Sequence, residues 1–229
     1  MTYLKDWKCL SITQIKVIAI ACMVVQHIYY SLIMTDRYKF MEAIGTVTLP
    51  LILFSLSEGY IHTRNMYKYF LCLVIGMFVS EIPYRMLFPP PPELGFSFMN
   101  IMATLALTLA FIFILDKINK SLVLVAAIFI LMIFLSNILQ VDYGFYPIML
   151  AYAFFCFREN NLAKLVLCYL VYITRYQHFI LGGIIILILR LYNGKHLNNA
   201  DISLKRKKAY KYAFYIFYPL HFLVLYAIK

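Results

Sequence analysis

The sequence predicts an all-α protein, a polytopic bundle of about nine transmembrane helices (eight to ten). Of its 229 residues, 64% are hydrophobic and only 14% are charged, whereas about 25% are charged in an average soluble domain. The mean hydropathy is +0.81, so most side chains must face lipid or one another. This composition excludes a soluble globular enzyme. The net charge of +11 comes from Lys and Arg between apolar runs, a pattern typical of membrane orientation rather than nucleic-acid binding.

Nine apolar segments, bounded by charges or turn residues, form the predicted spans. They cover residues 12–34, 44–62, 67–87, 99–116, 121–140, 143–157, 162–176, 178–192 and 212–228. Ser11 and Gln14 form a capping-box pattern that begins the first span. The sixth and seventh spans are short for a hydrocarbon core of about 30 Å, so they are tilted, re-entrant or protected by neighbours. Residues 1–229 form a single domain, because the longest loop, about 193–211, is too short to fold alone.

The distribution of Lys and Arg predicts the orientation. Fifteen of the 21 lie on one side of the nine spans, five lie on the other, and Lys16 lies within the first span. The positive-inside rule therefore predicts a cytoplasmic N-terminus and an outer C-terminus. The expected location of this multi-pass protein is the inner (cytoplasmic) membrane of the cell. The basic run Lys205–Lys208 is interpreted as an anchor that contacts anionic lipid, with phosphate binding as the alternative.

Ionisable side chains inside the predicted spans are the candidate functional residues, because charges in a bilayer are costly unless partnered. At 1.5 Å per residue, His27 and Glu81 lie at a similar depth, about 22 Å and 21 Å from the inner ends of their spans. A neutral histidine can accept a proton from a hydroxyl or an amine, so we interpret His27 as a general base oriented by Glu81. The alternative is a structural histidine. Candidate residues for acceptor binding or oxyanion stabilisation, slightly further out, are Arg85, Asn100, Asp142 and Tyr143.

A second polar group lies towards the predicted cytoplasmic side. Glu58 and His62 are four residues apart on one helix face, a spacing that can bind a metal or form an acid/base pair. Two ligands alone do not predict a metal site, and an intrahelical hydrogen bond is the simpler interpretation. The same estimate from helix rise places His221, about nine residues into the last span, near the middle of the membrane. Polar groups near both faces, with a histidine between them, suggest a path for transport or for transmembrane group transfer.

Several blocks, in order along the chain, resemble the TraX family. They include residues 15–27, 45–50, 57–65, 80–84, 100–105, 142–144, 192–195 and 217–221, and the resemblance covers roughly residues 11–228. The named member of that family acetylates the N-terminus of pilin subunits, and the family resembles broader groups of multi-span acyltransferases. The resemblance implies transfer of an acetyl group from cytoplasmic acetyl-coenzyme A to an amine or hydroxyl at the outer face, on a pilin-like peptide or a surface glycan. The coenzyme would then contact Glu58, His62, Arg64, Lys68 and His221.

Two positions depart from the family pattern. Gln26 stands where the family usually has Asp, and Thr46 stands where it often has Arg. Gln cannot ionise, so loss of activity is one outcome if the chemistry needs an Asp–His arrangement. A small-solute transporter and a non-catalytic membrane assembly factor are therefore kept as alternatives. We expect no metal from the sequence, which is compatible with a homodimer. The sequence identifies neither the acceptor nor the length of the acyl chain.

Overall fold

The computed structural model describes residues 8–89, 100–118, 121–195 and 204–229, without the side chains of 204–211. The described residues form helices and their connections. Their one β contact is an isolated parallel bridge between Leu10 and Tyr192. The predicted all-α fold class is confirmed.

The described residues of the first half of the chain, 8–89 and 100–117, form five α-helices. They are α1 (Ile12–Ile28), α2 (Phe40–Gly45), α3 (Thr48–His62), α4 (Met66–Leu87) and α5 (Ile101–Lys117). A π-helix, Tyr29–Ile33, extends α1, and a 3-10 turn, Asp36–Tyr38, precedes α2. The predicted capping box is present, because the N–H of Gln14 donates to Ser11 Oγ over 3.4 Å and the N–H of Ser11 donates to Gln14 Oε1 over 2.8 Å.

The second half supplies α6 (Leu122–Ile138), α7 (Tyr146–Cys156), α8 (Asn161–Tyr176), α9 (Phe179–Arg190) and α10 (Leu204–Ile228). Each predicted span therefore coincides with a helix. The last helix begins earlier than its predicted span, so part of the predicted loop 193–211 is helical. The reason is that Lys, Arg and Ala favour helix strongly, although their charges exclude this stretch from an apolar segment.

Three helical stretches in the described chain are long and apolar enough to cross a bilayer, Ile12–Ile33, Asp36–His62 and Met66–Leu87. The nine-span count and the orientation stay predictions. The centre of the bundle is formed by α3 and α5, with 10 of 15 and 11 of 17 residues buried. The short α7, 11 residues long, packs against α3, α5 and α8. Because it lies among other helices, its length of about 16 Å leaves little backbone facing lipid.

Side-chain contacts define two ends of the bundle. At the end that we call the basic end, Glu58 near the end of α3 accepts a hydrogen bond from Tyr192 after α9, and Leu10 before α1 pairs with Tyr192. At the other end, called the histidine end, α4 and α10 finish together, because Lys229 Nζ lies 3.3 Å from the Leu87 carbonyl oxygen. The two ends are separated by about 22 Å, the length of α1 from Ile12 to His27.

Candidate functional site

Two histidines from opposite ends of the sequence meet at the histidine end. His27 Nδ1 on α1 lies 2.8 Å from His221 Nε2 on α10, and the two rings stack with their centroids 5.1 Å apart. Phe88 and Phe222 pack against the His27 ring. His221 is only 6% exposed. The pair is therefore held in an apolar aromatic setting that limits the freedom of both rings.

The hydrogen bonds around this pair assign its protons. His221 Nδ1 lies 3.3 Å from the backbone carbonyl oxygen of Phe217, and a carbonyl can only accept, so Nδ1 carries the proton. In a neutral ring His221 Nε2 is then the acceptor, and the N–H at His27 Nδ1 donates to it. This leaves the lone pair of His27 on Nε2. A basic nitrogen oriented through the other ring nitrogen is the arrangement that general-base catalysis uses.

The partner of His27 is therefore His221, whereas the sequence predicted Glu81. Glu81 accepts from Arg85 Nε over 2.6 Å and from the side-chain amide of Asn100. The depth of His221 was also wrong, because it was measured from residue 212. Measured from Leu204, where α10 begins, His221 lies about 26 Å along the helix, level with His27 and not between the two polar layers.

Asn100 joins α5 to α4 at the histidine end. Its Oδ1 accepts from the Met102 N–H over 3.1 Å and so caps α5. Its Nδ2 donates both to Glu81 and to the Met77 carbonyl, the latter over 3.1 Å. Both amide hydrogens are thus used, and Asn100 is fully buried. The predicted oxyanion-stabilising role would require Asn100 to give up one of these bonds.

The connection between α6 and α7 brings Asp142 and Tyr143 to the same end. The hydroxyl of Thr104 on α5 donates to the Asp142 carbonyl oxygen over 2.9 Å, and the Tyr143 N–H donates to the Asp142 carboxylate over 3.0 Å. Burial raises the pKa of Asp142 from its usual 3.8 to about 7, although the Tyr143 N–H and nearby Arg175 act in the opposite direction. Tyr143 has a φ of 66°, a left-handed conformation that is uncommon for a non-glycine residue.

Tyrosine rings link these groups, and sequence reasoning missed them. Tyr84, Tyr176 and Tyr218 all lie within electrostatic range of Asp142 and Tyr143. Tyr218 stands three residues before His221, and its hydroxyl accepts the Ile101 N–H over 3.2 Å. The signal that could have found Tyr218 is its one-turn spacing from His221. Tyr84 has the same spacing from Glu81.

At the basic end the predicted residues are less closely associated. The Tyr192 hydroxyl donates to Glu58 Oε2 over 2.9 Å. His62 Nδ1 lies 2.9 Å from the carbonyl oxygen of Glu58, within its own helix, which agrees with the simpler interpretation of that spacing. Arg64 and Lys68 are exposed. This end presents cations to the surroundings but does not gather the five predicted residues into one cavity, since His221 lies at the other end.

Gln26 faces away from the histidine pair. A Cβ on Gly45 would lie 2.3 Å from the Gln26 Cβ, so the end of α2 packs directly on this side chain. Neighbouring positions on a helix point about 100° apart, and His27 accordingly faces α10. The side chain at position 26 therefore supports α2, while His221 supplies the hydrogen-bond partner of His27.

Comparison with known proteins places the chain in a family. The sequence pattern described as "TraX protein" matches residues 11–229. The chain belongs to the TraX family. Together with its long apolar helices, this makes it a membrane protein. A curated relative, the "Probable fimbrial assembly protein FimC, serogroup H1" of Dichelobacter nodosus, is 28% identical over 242 positions, covering 94% of each chain. No solved structure matches. Within the described residues, no group of three or more His, Cys, Asp or Glu could hold a metal ion.

Proposed function

We propose that this TraX-family member is a multi-pass inner-membrane acyltransferase that transfers an acetyl group from acetyl-coenzyme A to an amine or hydroxyl acceptor. The single observation that carries the proposal is the contact between His27 Nδ1 and His221 Nε2, 2.8 Å long. It leaves His27 Nε2 as an oriented base.

The reaction follows from that nitrogen. The acceptor nitrogen or oxygen attacks the thioester carbonyl carbon while His27 Nε2 takes the acceptor's proton. The carbonyl oxygen becomes an oxyanion, which in this proposal Arg85 stabilises once the acceptor is bound. The tetrahedral intermediate then expels the thiolate of coenzyme A, which takes the proton from His27. The products are the acetylated acceptor and free coenzyme A, and His27 returns to its neutral form.

The donor would approach from the basic end. Arg64 and Lys68 are exposed there, and guanidinium and ammonium groups suit the phosphates of coenzyme A. Glu58 and His62 lie on the same helix end and would border the phosphate site. Because the histidine end is about 22 Å away, the flexible arm that carries the thioester would have to extend between the helices, and His221 would meet only its reactive end.

The acceptor would bind beside the histidine pair. The Glu81–Arg85 ion pair, Asp142 and Tyr143 offer both charges and hydrogen-bonding groups there. The relative's printed name links that protein to fimbrial assembly, which favours the N-terminal amine of a pilin-like peptide over a glycan hydroxyl. A partner of this kind would reach the histidine end from the outer face of the membrane.

A non-catalytic assembly factor is the second candidate, since the relative's name states assembly and not transfer. This candidate also accommodates Gln26. It differs from the first in one observable, because an assembly factor consumes no acetyl-coenzyme A.

The test is a transfer assay with the full-length protein in nanodiscs. Acetyl-coenzyme A and a synthetic pilin-like N-terminal peptide are supplied, and free coenzyme A and acetylated peptide are measured together. We expect equimolar formation of the two products, and a loss of about 10²- to 10⁴-fold in His27→Gln, typical of a missing general base. Arg64→Ala should weaken the saturable thermal stabilisation by acetyl-coenzyme A.

The matched control is His178→Gln, because His178 is an exposed histidine just before α9. It should retain the wild-type rate. If the wild-type protein releases no coenzyme A with peptide or glycan acceptors and shows no thermal shift at millimolar donor, the transferase proposal fails and the assembly factor takes its place.

A further inference from the structure

Arg175, in the last turn of α8, lies between two tyrosine rings. Its guanidinium carbon is 5.3 Å from the centre of the Tyr146 ring on α7 and 5.5 Å from the centre of the Tyr176 ring on its own helix. Both rings are themselves packed, since Tyr146 stacks on Phe145 at 4.5 Å and the Tyr176 ring lies 5.1 Å from that of Tyr172. These contacts restrain the guanidinium, although Arg175 is an exposed residue.

The hydrogen-bonding groups of Arg175 are unused. Within the described residues its guanidinium forms neither an ion pair nor a hydrogen bond, and the adjacent Tyr176 hydroxyl is buried without a partner. Asp142 lies within electrostatic range, but burial raises the pKa of this carboxyl to about 7, so near neutral pH it cancels the charge of Arg175 only in part. The N–H groups of a guanidinium form a planar fork that matches a carboxylate.

Arg175 lies level with the histidine pair. It is about 21 Å along α8 from the first residue of that helix, and His27 is about 22 Å along α1 from the first residue of α1. Both helices begin at the basic end, α8 because its Lys164 lies within electrostatic range of Glu58. The free guanidinium and the proposed general base are therefore at the same depth.

Side-chain contacts also bring the end of α8 close to the histidine pair sideways. The Tyr172 hydroxyl on α8 lies 2.6 Å from the Thr46 hydroxyl at the end of α2. Tyr176 lies within electrostatic range of Tyr30, which stands three residues after His27. Neighbouring helix axes are 8–10 Å apart, so the end of α8 is one to two such spacings, about 10–20 Å, from the histidine pair.

We propose that Arg175 binds a carboxylate side chain near the N-terminus of the acceptor peptide and so contributes to acceptor specificity. This inference rests on the proposed function, which places the acceptor amine at His27. An extended peptide advances about 3.3 Å per residue, so the carboxylate belongs to about the third to the sixth residue. It accepts two parallel hydrogen bonds from the guanidinium. The tyrosine rings that fix the guanidinium favour one oriented ligand over the mobile headgroups of the bilayer.

The experiment measures peptide binding to the full-length protein in nanodiscs of phosphatidylcholine, which has no net charge, without acetyl-coenzyme A. Four peptides with a free N-terminal amine carry one glutamate, at the third, fourth, fifth or sixth position, and a fifth peptide carries glutamine at all of these positions. Fluorescence anisotropy of a dye at the C-terminus gives each Kd. We expect at least one glutamate peptide to bind about tenfold more tightly than the glutamine peptide, a comparison that depends on no variant.

Three variants test whether Arg175 is the partner. Arg175→Gln should remove the preference for glutamate and leave the affinity for the glutamine peptide unchanged. Arg175→Glu should instead prefer a peptide with lysine at the same position, and it decides the matter if Arg175→Gln does not fold. The matched control is Arg37→Gln, because Arg37 is an exposed arginine at the same end whose guanidinium carbon lies 5.7 Å from the centre of the Tyr38 ring. This control should retain the wild-type preference.

The outcomes separate this inference from the proposed function. Equal affinity for all five peptides, or a preference that persists in Arg175→Gln, would overturn the carboxylate site and assign Arg175 to the lipid headgroups or to the end of α8. Acetylation of the glutamine peptide would then still support the transferase. A preference that Arg175→Gln removes, without release of coenzyme A when the donor is added, would support the carboxylate site and contradict the transferase.

Discussion

The two ends of the bundle organise their polar groups in different ways. At the histidine end, side chains from α1, α4, α5 and α10 bond to one another across helices, as His27 does to His221 and Glu81 to Asn100. At the basic end, Glu58 accepts from Tyr192 across elements, but His62 bonds within its own helix, and Arg64 and Lys68 are exposed. The candidate residues of the histidine end are thus in contact before any ligand arrives, whereas the cations Arg64 and Lys68 of the basic end would be brought together only by a ligand.

This difference fits the needs of the two proposed substrates. A general base must be held within a fraction of an ångström of its productive position, and contacts across helices supply that restraint here. Phosphate groups tolerate looser geometry, because ammonium and guanidinium groups attract them over several ångströms. Substitutions at the histidine end should therefore alter catalysis and folding, while substitutions at the basic end should alter affinity.

The largest expected effect is on the turnover number kcat, and it distinguishes a substitution at the histidine end from one at the basic end. His221→Phe removes the acceptor for the His27 Nδ1 proton and should lower kcat by about 10- to 100-fold, as loss of an orienting partner does at other sites. His221→Gln keeps an acceptor oxygen and should recover much of that loss. His62→Phe at the basic end should instead raise the KM for acetyl-coenzyme A with kcat nearly unchanged.

Steady-state kinetics in nanodiscs, with both substrates varied, provides the measurement. Equal losses of kcat in His221→Phe and His221→Gln would contradict the orienting role of His221, since the loss would then come from packing alone. A loss of kcat in His62→Phe as large as that in His221→Phe would contradict the proposed difference between the two ends.

The next effect compares two helix caps. Asn100→Ala removes the cap of α5 and leaves a partly buried carboxylate oxygen of Glu81 without its amide partner, so it should lower the free energy of unfolding by about 1–3 kcal/mol. Asn65→Ala removes the exposed cap of α4, which accepts from the Lys68 N–H over 2.8 Å, and should cost about 1 kcal/mol or less. Unfolding in a graded denaturing detergent measures both. Equal losses would mean that the Glu81 contact adds nothing.

The sequence predicted more of the fold than of the site. Apolar runs located a helix in each predicted span, and the Ser11–Gln14 pattern located a helix start, because both signals are local. The contact between His27 and His221 joins residues 194 positions apart, and no local pattern determines which of several parallel helices lie side by side. The depth of His27 and Glu81 was predictable from helix rise, but the partner of each depended on packing. The early start of α10 was missed because its charged turns are helical without being apolar.

The last prediction concerns Asp142 and the pH dependence of stability. Burial raises the pKa of this carboxyl in the folded protein to about 7 from its usual 3.8, so the folded state holds the proton more tightly than the unfolded state. Its contribution to stability is therefore complete below about pH 4 and is lost as the pH rises to about 7. Asp142→Asn cannot ionise and should remove this part of the pH dependence. The free energies of unfolding of the two proteins, measured by thermal unfolding between pH 4 and pH 8, should diverge by about 1.4 kcal/mol for each pKa unit of the shift that persists in the membrane.

The control is Asp116→Asn, which removes the exposed carboxylate that accepts the Tyr60 hydroxyl at the basic end. This variant should show the same dependence of stability on pH as the wild-type protein. Parallel curves for wild type and Asp142→Asn would show that water reaches Asp142, and the histidine end would then be no drier than the basic end.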